Sequence, residues 1–408
     1  MDFSYTDEQR QLRRAVREFA EAEILPHVRA WDEKSEFPAP AIAKCGQMGL
    51  MGSIFPEEYG GSGYGYIEYA LLVEELARVD PAVALTVAAH NGLGTAHIAM
   101  FGTDAQRARY LPALANGTQL AAWGLTEASS GSDAAAMKTT AEPDGDHWVL
   151  NGTKQFITHG RTGDLLVAMA VTSRSRGSRG ISAFIVERGT PGFRAGKKED
   201  KLGMRASETS EVIFDGCRVP ASQMVGGEGQ GFVNALQVLD AGRIGIAALA
   251  VGLAQGAYEA ARDYAFVRHQ FGQPIGTFQS IRAKLVDAAT RIQAARLLTY
   301  RVAAMKHAGT RTTLDAAMAK RGSEVATARR CSSCHLPSLA GQDQMPRVSK
   351  QRIDYLVDVM KSYRDSPRPG ADTAMNTINA GNTQAQKTLA DLNARSRETL
   401  QPYQGAGQ

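Results

Sequence analysis

The run Gly124-Leu125-Thr126-Glu127-Ala128-Ser129-Ser130-Gly131-Ser132-Asp133, closed by small residues at 134–136, marks the point where the chain changes texture. It is a loop of hydroxyls, small side chains and glycine, through which backbone N–H groups approach a phosphate or a polar ring closely. Taken alone it is equally a Ser/Gly turn between domains. Upstream of it the periodicity is helical. Leu12, Ala15, Val16, Phe19, Ala20 and Ile24 form one stripe over 6–28, opened by a Thr6/Gln9 capping box. A short helix over 40–50, a Gly-rich loop (Pro56-Glu57-Glu58-Tyr59-Gly60-Gly61-Ser62-Gly63) and apolar helices over 66–78 and 81–101 follow. Downstream lie β-rich runs at Trp148-Val149-Leu150, 165–171, 181–186 and 211–214. The turn signals Pro143-Asp144-Gly145 and Asn151-Gly152 separate them, which predicts an antiparallel β domain. Helices return after Gly229: Phe232, Leu236, Leu239, Ile246, Leu249 and Leu253 mark one long helix, and 278–306 a second. The order predicts an α+β chain. Its expected parts are a helical domain over 1–118, a middle antiparallel β domain over 119–228, a partial C-terminal helical domain over 229–328 and a tail over 329–408.

The 408 residues are 43% hydrophobic and 22% charged, which excludes a disordered or fibrous chain and allows two or three globular units. The stretch 79–101 is broken by Gly, Asn and His and contains Asp80, so no clean span of about 20 apolar residues is expected and no membrane span with it. The first eight residues lack a basic segment followed by an apolar one, so no secretory leader is expected and the expected location is cytoplasmic. Four cysteines do not make a disulfide scaffold; Cys45 and Cys217 are expected to be buried, inert thiols. The net charge of +4 sits wholly in the tail, because 1–320 carry 34 basic and 34 acidic residues and 321–408 carry 12 and 8. That is too small a footprint for a nucleic acid.

Other segments recur at telling distances from the Ser/Gly loop. They are Lys154-Gln155-Phe156-Ile157-Thr158, Lys201-Leu202-Gly203-Met204-Arg205, Asp240-Ala241-Gly242-Arg243 and Arg268-His269-Gln270-Phe271-Gly272. With Pro56-Glu57-Glu58-Tyr59-Gly60-Gly61, and in this order, they make residues 1–320 resemble the acyl-CoA dehydrogenase family, nearest to its short-chain members. The resemblance implies that FAD is the cofactor, that the reaction is α,β-dehydrogenation of a short or medium acyl-CoA, and that an electron-transfer flavoprotein takes the electrons. It also implies a homo-oligomer, dimer or tetramer. Leu125 and Thr126 resemble the positions at the flavin pyrimidine edge, Phe156 the one on its outer face and Thr158 the one near its reactive nitrogen. Ser132 resembles the residue near the pyrophosphate and the acyl-CoA. Arg268, Phe271 and Gln279 resemble those holding the ADP end of FAD in a neighbouring subunit, and Asp240 and Arg243 those of the acyl-CoA pocket. Singly, Phe156 is also read as core and Arg243 as a helix-surface ion pair. His159 departs from the family, which more often has a small polar residue there.

Removing the α proton of a thioester needs a carboxylate base. The family carries it in a Tyr-Glu-Gly-Thr segment that this sequence lacks, and a minority carry it on the first long C-terminal helix, where Gly242 stands here. Asp240 lies about 200° away around that helix, and Glu127 is expected to be structural. No catalytic residue is assigned, and impaired activity is expected. In the tail, Cys331-Ser332-Ser333-Cys334-His335 has the form of a c-type haem attachment site, with a zinc pair as the alternative. Ser338 to Gln342, Tyr355 to Val357, Lys361 to Asp365 and Gly370 to Met375 resemble a class I cytochrome c fragment, which would make Met375 the second axial ligand of a haem c. The competing readings of the whole are therefore a c-type haem electron-transfer protein, a flavin/haem fusion, or a chimeric chain with the fold and no activity.

Overall fold

Thr6 begins the first helix in the way its neighbours predict: its hydroxyl accepts from Gln9 N while the Gln9 side chain accepts from Thr6 N. The computed structural model describes residues 4–310 and 312–328. Cys331, Cys334, His335 and Met375, and with them the haem reading, lie outside the described residues. Helix α1 (Asp7–Phe19) runs into a π-helical turn (Ala20–Ile24), and α2 (Val28–Lys34) and α3 (Ala39–Gln47) complete the first layer. The two apolar helices follow as α4 (Tyr66–Val79) and α5 (Pro81–Ala89), the second capped by Asp80, whose carboxylate accepts from Ala82 N. The expected helix over 81–101 is broken by a π-helical turn at His90–Gly94 before α6 (Thr95–Phe101), and α7 (Asp104–Ala115) ends the domain.

Helix α4 is the axis of the helical part. Nearly every residue from Tyr69 to Val79 is buried, including Glu74 and Glu75. A buried carboxylate is tolerated only when it is paired. Glu75 accepts from Arg13 Nε (2.6 Å) and Arg17 Nε (2.8 Å), and Glu74 from Arg296 Nε (2.9 Å) and the Tyr300 hydroxyl (2.8 Å). Burial pushes the Glu75 carboxyl up, but Arg17 and Arg13 outweigh it and hold it below the ordinary range. Two helices are thereby fastened to α4 by charge: α1, and α9 (Gln279–His307). The third neighbour is α8 (Gly231–Val267), which packs backbone to backbone. A Cβ on Gly252 would stand 2.1 Å from Glu74 O, and one on Gly256 2.1 Å from Arg78 O. By length and a mean hydropathy of 1.5, α8 passes as a membrane span, contrary to the sequence expectation. Its middle is that of a core helix, with Ile244 and the residues from Ala247 to Val251 buried, and it packs on α4, α5, α9 and α10 (Thr313–Ala328), while Val233, Leu236, Phe266 and Val267 near its ends are exposed.

Between α7 and α8 one sheet runs in the order β6-β7-β3-β2-β4-β5-β8, with β1 beside β4. The strands are β1 (Ala121–Gly124), β2 (Thr140–Asp144), β3 (His147–Thr158), β4 (Leu165–Val171), β5 (Ile181–Glu187), β6 (Phe193–Lys198), β7 (Thr209–Pro220) and β8 (Met224–Val225). The sheet is not wholly antiparallel as expected: β1 and β2 both pair with β4 in parallel. The Asn151-Gly152 turn is also corrected. Those residues lie inside β3 at a register shift, where Gly152 (φ 146°) passes so close to Thr139 that a Cβ would meet its Oγ1 at 2.5 Å. Cys45 and Cys217 are both buried free thiols, as expected.

Glu75→Ala leaves the Arg13 and Arg17 guanidiniums facing a cavity in α4. The expected loss is about 3–5 kcal/mol of unfolding free energy in a denaturant titration; an unchanged midpoint contradicts the pairing.

Candidate active site

The Ser/Gly loop leaves β1 at Leu125 and is folded back on itself by Glu127. This carboxylate accepts from Lys138 N (2.6 Å), from Thr139 N (3.0 Å) and from Lys154 Nζ (2.7 Å). Lys154 is fully buried on β3, and it also donates to Leu125 O at 3.2 Å. Burial pushes the Glu127 carboxyl up, but the Lys154 charge and the amide donors outweigh it, so the group stays ionised. Glu127 is thus structural, as its position predicts.

Immediately after Lys154 the β3–β7 ladder slips, with Lys154 opposite Val212 and Ile157 opposite Ser210. The extra residue is a β-bulge. Within it Gln155 N leaves the ladder and donates to Thr126 O at 2.8 Å, and Phe156 takes φ 58°. A bulky residue in the left-handed region is strained, and such strain gathers at binding sites. The bulge turns the Phe156 ring outward, 60% exposed, so it is not a core residue. Phe156, Thr158, Leu125 and Thr126 then share a cleft of about 180 Å3 with Ala89, Leu93, Ala121, Trp123 and Ile157. The hydroxyls of Thr126 and Thr158 make no hydrogen bond among the described residues. No Asp, Glu or His is among the residues lining the cleft.

Three buried histidines stand behind its lining and support Ala121 and Trp123. His90 Nδ1 accepts from Ala121 N at 3.1 Å while Nε2 contacts Leu114 O at 2.9 Å, His159 Nδ1 contacts Ala121 O at 3.3 Å, and His97 Nδ1 accepts from Trp123 Nε1 at 3.1 Å. Burial pulls all three down, His90 to about 3 (helped by His159), His97 and His159 to about 4. They are neutral scaffold.

The remaining predicted residues lie elsewhere. Ser132 is exposed on the loop and does not line the cleft. Arg268 and Phe271 sit at a two-residue hairpin, His269–Gln270 against Gln273–Pro274, with Phe271 at φ 53° and 92% exposed. Arg268 Nε is buried without an acceptor. Gln279 begins α9 and lines an open depression of about 600 Å3 with Arg282, Ala283, Val286, Asp287 and Thr290. Asp240 and Arg243 pair with each other on α8 (2.6 Å), and the second Asp240 oxygen accepts from Thr313 Oγ1 at 2.7 Å. Arg243 therefore makes the helix-surface ion pair that its spacing allowed. No sequence signal points to Ala89, at the end of α5, or to Leu93, in the π-helical turn that follows it, yet both line the cleft.

The N-terminal, middle and C-terminal domains of the acyl-CoA dehydrogenases match residues 6–118, 122–217 and 229–334. The chain belongs to the acyl-CoA dehydrogenase family. It is 46% identical over 320 residues to the short-chain-specific acyl-CoA dehydrogenase of Clostridium acetobutylicum, covering 78% of this chain and 84% of the relative. Among solved structures, the butyryl-CoA dehydrogenase of Megasphaera elsdenii superposes with a TM-score of 0.78 at 44% identity, over 80% of this chain and 86% of that one. A structure from work on the electron transferring flavoprotein of Acidaminococcus fermentans gives 0.79 at 45% identity, over 80% and 86%. Acyl-CoA dehydrogenases are FAD-containing oxidoreductases, and this chain has features that fit the group. The Thr126 and Thr158 hydroxyls lack partners, an aromatic face is turned outward by a bulge, and Arg268 carries an unpartnered buried guanidinium nitrogen.

Neutral buried histidines set the acid limit of stability. Below about pH 6.5 the unfolded chain takes up protons at these rings that the folded chain does not, so acid favours unfolding. Asp80, raised to about 6 by burial, opposes this only below that pH. The unfolding midpoint is expected to change little from about pH 7 to 7.5, below the range where Lys201, lowered to about 8 by burial, begins to titrate in the folded chain, and to fall between about pH 6.5 and 5.5. A flat profile through that window rules out neutral histidines.

Proposed function

We propose that the chain binds FAD and a short acyl-CoA in the cleft between the loop after β1 and the bulge of β3, and that it lacks an effective base for their reaction. The observation that carries this reading is the cleft itself: Leu125, Thr126, Phe156 and Thr158 converge on it from two elements, and no carboxylate does. Relatives at 44–46% identity that are named short-chain-specific support the chain-length class.

FAD supplies the acceptor for the hydride that leaves the substrate. The protein's part is binding and orientation. Leu125, Thr126 and Thr158 present donors to the ring edge, where charge develops, and Phe156 covers its outer face. Ser132 serves the pyrophosphate and the thioester arm. Arg268, Phe271 and Gln279 hold the ADP end of a cofactor seated in a neighbouring subunit of a homo-oligomer, and the exposed Phe271, Phe266, Val267 and Val286 support such an assembly. Asp240 and Arg243 border the acyl-CoA pocket, and an electron-transfer flavoprotein is the electron acceptor.

The α proton, however, has no acceptor among the described residues. Both Asp240 oxygens are engaged, and Glu127 accepts three hydrogen bonds on the far side of the loop. A Cβ on Gly242 would lie 3.3 Å from Gly92 O and from Leu93 Cδ2, so a side chain there enters the cleft wall at Leu93. Positioned general bases contribute about 10²–10⁴-fold. With butyryl-CoA, saturating FAD and an artificial electron acceptor, the unmodified chain is expected to turn over very slowly, and Gly242→Glu about 10²-fold faster. Robust turnover by the unmodified chain overturns the missing-base reading, and Asp240→Asn is then the variant to test.

FAD retention is a separate expectation. The purified protein should show the flavin absorption near about 450 nm, and Arg268→Ala should lose cofactor on gel filtration. Equal retention by the variant removes Arg268 from the site.

A further inference from the structure

The turn that follows β3 concentrates buried polar atoms that bond to nothing in the chain. His159 Nε2, Thr162 Oγ1, Ser207 Oγ, Glu208 Oε1 and Ser210 Oγ have no hydrogen-bond partner among the described residues. They are half of the ten buried side-chain atoms without a partner there, yet they come from two short stretches, 159–162 and 207–210. His159, Ser207, Glu208 and Ser210 are each at most 3% exposed. The fold brings the two stretches together. His159 N donates to Glu208 O at 3.1 Å, which continues the β3–β7 ladder by one residue. The second Glu208 oxygen accepts from Arg161 N (2.8 Å) and Thr162 N (3.3 Å), so the carboxylate lies against the turn. Gly160 faces Ser210, since a Cβ there would stand 2.6 Å from Ser210 Oγ. Buried polar groups bond to the chain or to internal water, and each one left bare costs stability. Five in one turn therefore mark a binding site.

What the site takes follows from its donors and acceptors. His159 Nδ1 faces a carbonyl, Ala121 O at 3.3 Å, so Nδ1 carries the proton of this ring. Burial keeps the ring neutral, and Nε2 can then only accept. Glu208 Oε1 also only accepts, while the three hydroxyls both donate and accept. The guest must therefore offer two protons and also accept. A metal ion is a poor match: one imidazole and one carboxylate fall short of its usual ligand set, and no three such side chains gather among the described residues. The Lys201 amine, which donates to Thr209 Oγ1 at 2.9 Å and to Ser207 O, adds positive charge beside Ser207. Water, which makes about three hydrogen bonds when buried, meets each demand. We infer that the turn at 159–162 and the start of β7 form a binding site for ordered water that joins His159 to Glu208. The site supports the cleft from behind. Thr158 of the lining precedes the turn, and the ring that accepts from the water holds Ala121 of the lining through its other nitrogen. His159 takes φ 63° here, a left-handed conformation that a non-glycine residue keeps only where its neighbours hold it. The inference does not depend on the acyl-CoA reading.

Two measurements on the full chain test it. Ser210→Ala and Thr162→Val each remove one hydroxyl and little volume. Where that hydroxyl holds water, its loss leaves the water short of a partner, and the folding equilibrium constant falls by up to about tenfold. Where the hydroxyl is bare, its removal relieves a desolvation cost and the constant rises. Denaturant titration is expected to show a fall for both variants. A high-resolution crystal structure of the parent is expected to show water at about 2.7–3.2 Å from at least two of the five atoms. A constant that rises or stays unchanged in both variants overturns the inference, as does a site without density or one in which the five atoms bond only one another. Density at about 2.0–2.4 Å from Glu208 and the hydroxyls also overturns it, because that is the distance of a metal ion.

Discussion

Everything in the cleft hangs on one buried ion pair. Lys154 cannot sit uncompensated in the interior of the sheet, and Glu127 is the charge that compensates it. Because the same carboxylate also takes two amides from the return of the Ser/Gly loop, it fixes that loop to β3 and closes it at once. The bulge that follows Lys154 is the structural consequence. The ladder yields one residue, Gln155 bonds Thr126 instead of β7, and Phe156 is pushed into a left-handed conformation facing outward. A loop and a strand that would otherwise be independent thus present their side chains to the same volume.

The helical frame uses the same device at larger scale. Two adjacent glutamates in α4 point to opposite neighbours, and each is neutralised by arginines from a different helix. Water screens the attraction least at Glu74, where Arg296 is buried with it, and more at Glu75, whose Arg13 and Arg17 are partly exposed. The glycines of α8 let the fourth helix approach α4 at backbone distance, which buries the middle of α8 inside the protein. This packing brings Gly242 against Gly92 and Leu93, at the wall of the cleft. A side chain at Gly242 would enter that wall.

Electrostatics also separates the interior of the site from its mouth. Inside, His90, His97 and His159 are kept neutral by burial and serve as hydrogen-bonding struts under Ala121 and Trp123. The arginines between β4 and β5, by contrast, are exposed and make no ion pair among the described residues. A lining without charged side chains suits an uncharged ring.

The sequence by itself determined the order of helical and β segments, the Thr6 cap, the limits of β4, the structural role of Glu127 and two of the segments that line the cleft, the loop after β1 and the end of β3. These depend on local chemistry: a hydroxyl three residues before an amide, a run of β-branched and apolar residues, a loop of small side chains. What it could not determine was decided at contacts distant in the chain. Asn151-Gly152 has the composition of a turn, yet β7 and Thr139 hold it inside a strand. The parallel pairing of β1 and β2 with β4 depends on how the chain crosses the sheet, which no window of sequence contains. Leu93 lines the cleft from the π-helical turn that begins at His90, and Arg243 turned to Asp240 because both lie one turn apart on the same face. Local composition fixes which conformations a segment tolerates, but only its tertiary neighbours select one, since the energy that selects it comes from burial and pairing across the fold.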